Sequence, residues 1–245
     1  MCTAITYKTR DHYFGRNLDY EHDFGEEIII TPRNKPLCFV NKPTLSTHYA
    51  TIGIGINSKN YPLYFDATNE LGLSIAGLNF PHHACYFDHE TGIAPHEIAL
   101  WLLAQCKTVD ECVKLLQNQY ILNQPFSKEY PLTPLHWMLA DKLHAIVLEP
   151  TNSGLQIHSN PIGVLTNSPP FDYHICNLSN YMNITAKQAD NRFAPKEQII
   201  AQSQGIGGIG LPGDNSSASR FIRAAFTKLN SKADSDAKFI RPYRH

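Results

Sequence analysis

Six short segments in the first third of the chain constrain its fold more than any other feature. AITYKT, HYFGRNLD, GEEIIITP, YATIGIGI, YPLYFDATNE and LGLSIAGLNF are β-rich or alternating runs, punctuated by Gly, Asn and Pro. Short runs with period-two alternation, bounded by turn residues, predict strands. Their natural product is a predominantly antiparallel sheet.

Helical signals follow. PHEIALWLLAQC, residues 95–106, begins with Pro and continues as an apolar run long enough for a buried helix. A second helix is predicted from TVDE, where Thr108 and Glu111 have capping-box spacing and Cys112, Leu115 and Leu116 supply an apolar face. Beyond a Pro-rich connection, LHWMLAD and HAIVLEP read as strands, TNSG as a turn and LQIHS as the returning strand. FDYHICNLSNYM reads as a short helix. SSASRFIRAAFTKLN reads as a clear one, with Ser216 as N-cap and Ile222, Ala225, Phe226 and Leu229 at helical spacing. Strands, helices, strands and helices in succession predict a layered α+β domain. At 245 residues, with no repeat or low-complexity linker, one domain over residues 1–230 is expected, followed by a polar, patternless tail at 231–245.

Composition narrows the function. Lys plus Arg is 21 and Asp plus Glu is 22, a net charge of −1 with no long basic run, so no nucleic-acid partner is expected. No positive segment followed by an apolar stretch opens the chain and nothing approaches a membrane span, so a cytoplasmic protein without membrane contact is expected. Cys2, Cys38, Cys85, Cys106, Cys112 and Cys176 form no CxxC pair, which fits reduced thiols. PHHACYFDHE places His82, His83, Cys85 and His89 close together, but no second ligand pair matches them and no metal is expected. GIGGIG, residues 205–210, matches GxGxxG. It follows AQSQ and precedes LPGD, with Pro212 opposing a helix, so it reads as a tight loop rather than a dinucleotide site. The sequons at Asn177, Asn183 and Asn215 carry little meaning without a secretory signal.

Cys2 raises a different possibility. With Met1 removed it becomes the first residue, its thiol beside its own α-amine. An α-amine titrates at about 7.7–8 and a free thiol at about 8.5, so one residue would carry both a base and a nucleophile. The alternative is a passive small hydrophobe. Arg16 and Asp19 of GRNLD lie in a segment that could form a hairpin with the N-terminal strand; alone, such a pair reads equally well as solvated surface.

MCTAIT, YFGRNLD, GEEIIITP, YPLYFDA, NELGLSIAGLNFP, LHWMLAD, NPIGVLTNSP and GGIGLPGDNSSASRFIRAAF, in this order and at these intervals, strongly resemble the choloylglycine hydrolase family. Its members include bile salt hydrolases and penicillin V acylases, which are N-terminal-nucleophile hydrolases. The resemblance implies a four-layer αββα sandwich with no cofactor or metal. It implies Cys2 as nucleophile, Arg16 close to the thiol and Asp19 holding the new α-amine. It further implies the backbone N–H of Asn79 and the side-chain amide of Asn167 as oxyanion donors, with Arg220 completing the polar site. The implied reaction is hydrolysis of glycine- or taurine-conjugated bile salts through an acyl-thioester, by a homo-oligomer, a tetramer in many family members. Alternatives are a penicillin V acylase, an N-acyl-homoserine lactone acylase or a truncated inactive homologue. Tyr20, Phe80 and Phe126 are candidate steroid contacts that read equally well as ordinary core aromatics. Family chains extend beyond the SRFIRAAFTKLN helix, so truncation or a frameshift, and a sandwich lacking its C-terminal strands, are expected.

Overall fold

The computed structural model describes residues 1–232. Its strands are β1 (Thr3–Lys8), β2 (His12–Asn17), β3 (Glu27–Thr31), β4 (Thr51–Ser58), β5 (Tyr61–Asn69), β6 (Ser74–Asn79), β7 (Leu135–Ala140), β8 (Ala145–Thr151), β9 (Gly154–Ser159) and β10 (Val164–Leu165). The α-helices are α1 (Ile98–Gln105), α2 (Val109–Leu116), α3 (Phe171–Asn177) and α4 (Ser217–Asn230).

Among the described residues the strands form two sheets. The larger is a seven-stranded antiparallel meander in sequence order from β3 to β9; the smaller has the order β10-β1-β2. Period-two alternation then divides the core. Ile75, Trp137, Leu139, Ile146 and Leu148 pack with Ile98 and Leu102 of α1 on one side of the large sheet. Their sequence neighbours Ala76, Leu78, Met138 and Val147 face the other way, onto Ala4, Val164 and Leu165 of the small sheet, with Phe171 of α3 and Phe221 and Ala225 of α4 in the same cluster. This is the expected αββα sandwich.

Local chemistry accounts for the helices. Seven of the eight residues of α1 are buried, as a continuously apolar helix requires. It begins later than the sequence pattern indicates, because residues 95–97 form a separate 3₁₀ turn. Thr108 caps α2 by accepting from Glu111 N at 3.2 Å, but the Glu111 carboxylate accepts from Lys107 N, one residue before the position a capping box would use. Ser216 caps α4 as expected. The buried face of that helix, however, is Phe221, Ile222 and Ala225, and Leu229 stands exposed near its end. GIGGIG is a loop containing a 3₁₀ turn at Ile206–Gly208, with φ of 82° at Gly205 and 100° at Gly210. A Cβ at Gly207 would lie 2.2 Å from Lys187 O, so backbone crowding rather than phosphate binding accounts for glycine there. β10 carried no legible signal. No helix among the described residues is long and apolar enough to cross a membrane.

Candidate active site

The β1–β2 hairpin, with Thr3 opposite Asn17 and Ala4 opposite Arg16, brings residues 2 and 16 together. The Cys2 side chain is buried. Arg16 donates to Gly77 O at 2.6 Å, and its Nε lies 3.4 Å from Asp66 Oδ2, with the side chain only 5% exposed. Burial pushes the Asp66 carboxyl above its ordinary range and the Arg16 charge pulls it back. Nε and Nη1 of Arg16 make no hydrogen bond among the described residues, leaving a buried cation with donors to spare.

Asn167 forms the hub. Its Oδ1 accepts from Cys2 N at 2.9 Å and from Arg220 Nη2 at 2.7 Å, while its Nδ2 donates to Asn79 O at 2.8 Å. Two donors on one end and a carbonyl on the other fix the orientation of the amide. Arg220 Nη1 also donates to Thr3 Oγ1 at 2.8 Å and to Cys2 O. Burial holds the Arg220 guanidinium below its ordinary range. The Met1 ammonium lies 3.6 Å from the Asp19 carboxylate and donates to the Asp19 carbonyl. The β6–β7 register places Phe80 N on Pro134 O, so Asn79, one residue earlier, turns its backbone polar groups away from β7. The six residues named from the sequence resemblance are thus brought together at the N-terminus: Asn167 and Arg220 hold the Cys2 backbone, Asp19 holds Met1, and Arg16 and Asn79 line one pocket with Cys2.

Sequence reading missed the supports. Asn17 Oδ1 accepts from Thr3 N at 2.8 Å, and its Nδ2 donates to Met1 O at 3.2 Å. Ser217 Oγ accepts from Asn167 N at 2.8 Å and lies 2.9 Å from Thr166 Oγ1. Two buried imidazoles hold successive carbonyls of the same segment: His136 Nε2 is 2.9 Å from Thr166 O, and His174 Nε2 is 2.9 Å from Asn167 O. Nδ1 of His136 faces Glu149 Oε1 at 3.1 Å, and that oxygen accepts from Phe171 N at 3.0 Å. A signal for this pair existed, since His136 in LHWMLAD and Glu149 in HAIVLEP interrupt otherwise apolar runs.

A pocket of about 300 Å³ opens on this centre. Cys2, Arg16 and Asn79 line it together with a mainly apolar wall that includes Leu18, Tyr20, Phe24, Ile56, Leu63, Phe65, Phe126, Tyr130 and Trp137. Tyr20 and Phe126 are thus pocket residues. Phe80 is not among the lining residues: it is fully buried and stacked on His136 at 4.3 Å between ring centroids. In PHHACYFDHE, the His83 ring lies against Phe80 and the His89 ring stacks on Tyr120. Among the described residues no three His, Cys, Asp or Glu side chains are grouped as metal ligands.

Comparison with known proteins agrees with this geometry. Residues 2–240 match the family described as linear amide C–N hydrolases, choloylglycine hydrolase family. A bile salt hydrolase/transferase from Lactiplantibacillus plantarum is 50% identical over 234 residues, 94% of this chain and 72% of the relative. A bile salt hydrolase/transferase from Clostridium perfringens is 42% identical over 236 residues, 93% of this chain and 72% of the relative. Among solved structures, a mutant conjugated bile acid hydrolase from Clostridium perfringens superposes with a TM-score of 0.85 at 41% identity, covering 94% of this chain and 72% of that one. A penicillin V acylase from Agrobacterium tumefaciens, 22% identical with a TM-score of 0.73 and covering 97% of this chain and 69% of that one, shares the fold. The chain belongs to the choloylglycine hydrolase family and is an amide-bond hydrolase.

Proposed function

We propose that the chain hydrolyses the C–N amide bond of glycine- or taurine-conjugated bile salts through an acyl-thioester on Cys2. The observation that carries the reading is a thiol lining a mainly apolar pocket, its own backbone nitrogen already on Asn167. Removal of Met1 turns that nitrogen into an α-amine, and Asp19, which holds the Met1 ammonium, is the carboxylate assigned to it. The amine takes the thiol proton and the thiolate attacks the amide carbon. Negative charge grows on the carbonyl oxygen, where the Asn79 backbone N–H and the second N–H of the Asn167 amide stabilise it. The C–N bond breaks, the amine returns its proton to the departing glycine or taurine, and the acyl group remains on sulfur. Water, deprotonated by the same amine, then cleaves the thioester. The unsatisfied donors of Arg16 belong to the same pocket as the thiol.

Hydrolysis of penicillin V needs the same centre and a different acyl pocket. Sequence favours the bile-salt branch: a penicillin V acylase from Pectobacterium atrosepticum is 30% identical over only 57% of this chain. We further propose a cytoplasmic protein that forms a homo-oligomer, the self-association supported by exposed apolar side chains at Met182, Phe193 and Ile200.

The test is release of glycine or taurine from glycocholate and taurocholate, with penicillin V in parallel. Cys2→Ser is expected to reduce turnover to background, and a near wild-type rate would remove Cys2 as nucleophile. An uncleavable N-terminal extension that retains Met1 should have the same effect. Hydrolysis of penicillin V alone would move the chain to the acylase branch, and no turnover from a folded sample would leave the inactive homologue.

A further inference from the structure

His96 stands apart from the other pocket residues. It sits in the 3₁₀ turn that leads into α1 and lines the pocket between apolar neighbours, Pro95 and Ala99 among them. Its ring makes edge contacts with Phe126 at 5.2 Å and Tyr61 at 6.0 Å between centroids. The other largely buried histidines are tied into the protein: His48, His136 and His174 each have a ring nitrogen on a backbone carbonyl. Neither nitrogen of His96 has a hydrogen-bond partner among the described residues, and neither is a sealed orphan of the kind found at His174 Nδ1. The ring therefore offers its polar edge to the cavity.

Burial pulls the pKa of His96 down to about 4, so at neutral pH the imidazole is uncharged. A neutral imidazole has one N–H donor and one acceptor nitrogen. It offers no charge to the anionic glycine or taurine group, for which the guanidiniums near Cys2 are better suited. An alcohol fits it, because a hydroxyl also donates and accepts. An apolar wall strips water from a steroid, and any hydroxyl left without a partner there loses binding energy.

We propose that His96 forms a hydroxyl-binding subsite that reads an alcohol on the acyl part of the substrate. The proposal deepens the bile-salt reading and rests on it: the steroid body carries hydroxyls at fixed positions, and His96 selects for one of them. Phenylalanine at this position would keep the ring packing against Tyr61 and Phe126 and remove only the hydrogen bonds.

The experiment compares kcat/KM of the wild type with that of His96→Phe on a series of glycine conjugates. The acyl groups are hydroxyl-free cholanic acid, lithocholic acid with its 3-hydroxyl, chenodeoxycholic and deoxycholic acids with a second hydroxyl at position 7 or 12, and cholic acid with all three. The wild-type to variant ratio should be near one for the hydroxyl-free conjugate. It should rise about tenfold at the first member carrying the hydroxyl that His96 reads, and stay high wherever that hydroxyl is present. His96→Gln, which keeps a donor and an acceptor, should restore much of the discrimination and provides the same test if the Phe variant folds poorly. A ratio that is the same across the series, hydroxyl-free conjugate included, would overturn the subsite while leaving the bile-salt reading intact. Failure of the wild type to cleave any conjugate would remove both.

Discussion

One amide group joins most of the site. Asn167 receives Cys2 N and Arg220 on its oxygen and grips the Asn79 carbonyl with its nitrogen, so replacing it removes an oxyanion donor and releases three neighbours at once. Asn167→Ala is expected to lower kcat by about 10²–10³-fold with a smaller change in KM, as loss of a donor that acts on developing charge does. Steady-state kinetics on glycocholate would check the split. His96 allows a second prediction, on stability. Its folded pKa of about 4 lies below the ordinary 6.5, so between these values the unfolded chain binds the extra proton and the folded chain does not. Stability from this group is complete above pH 6.5 and is lost as pH falls toward 4, by about 3 kcal/mol. Burial lowers His12 and His174 in the same direction, so the whole protein should weaken in acid. Urea denaturation at pH 7 and pH 4.5 isolates His96 if His96→Phe loses less stability between the two than the wild type; equal losses would refute the assignment.

At the level of elements, His136 and Glu149 are a cross-strand pair, because the β7–β8 register sets Trp137 opposite Leu148 and therefore places these two opposite each other. Both are buried, and together they tie β7, β8, the start of α3 and the Thr166 carbonyl into one network. Removing one partner leaves buried polar groups unsatisfied, at a cost of about 1–3 kcal/mol. Glu149→Ala should destabilise the fold by that order in chemical denaturation, whereas Glu149→Gln, which still accepts from Phe171 N, should lose much less. What the sequence disclosed follows the same division. The hairpins and both helix caps were legible because their signals lie within a few residues: turn residues beside alternating runs, and Thr108 or Ser216 before an apolar stripe. β10 was not legible, since two residues have no periodicity and their partner Ala4 lies at the other end of the domain. Asn79, Asn167 and Arg220 carry no local pattern either. Only the ordered likeness to a family singled them out, and no such likeness pointed to Asp66 or Glu149, whose importance comes from burial beside Arg16 and His136.

For the whole molecule, the segment between α3 and α4 carries several exposed apolar side chains. Met182, Phe193, Ile200 and Ile209 are each largely exposed, Phe193 at 95%. Scattered single apolar residues need no explanation, but four along one segment support the proposed self-association. Neither Phe193 nor Ile200 is among the residues that line the pocket. Assembly and catalysis should therefore separate. Light scattering at micromolar concentration is expected to give a mass that is a multiple of one chain, and the double substitution Phe193→Asp with Ile200→Asp should shift it toward one. Because no pocket residue is touched, kcat/KM of the dissociated form should stay within about twofold, provided the apolar segment serves association alone. A wild-type mass equal to one chain would refute self-association. Dissociation with loss of turnover would instead mean that the partner steadies the Asn167–Arg220 side of the site, since the same segment leads directly into α4 and the Arg220 guanidinium.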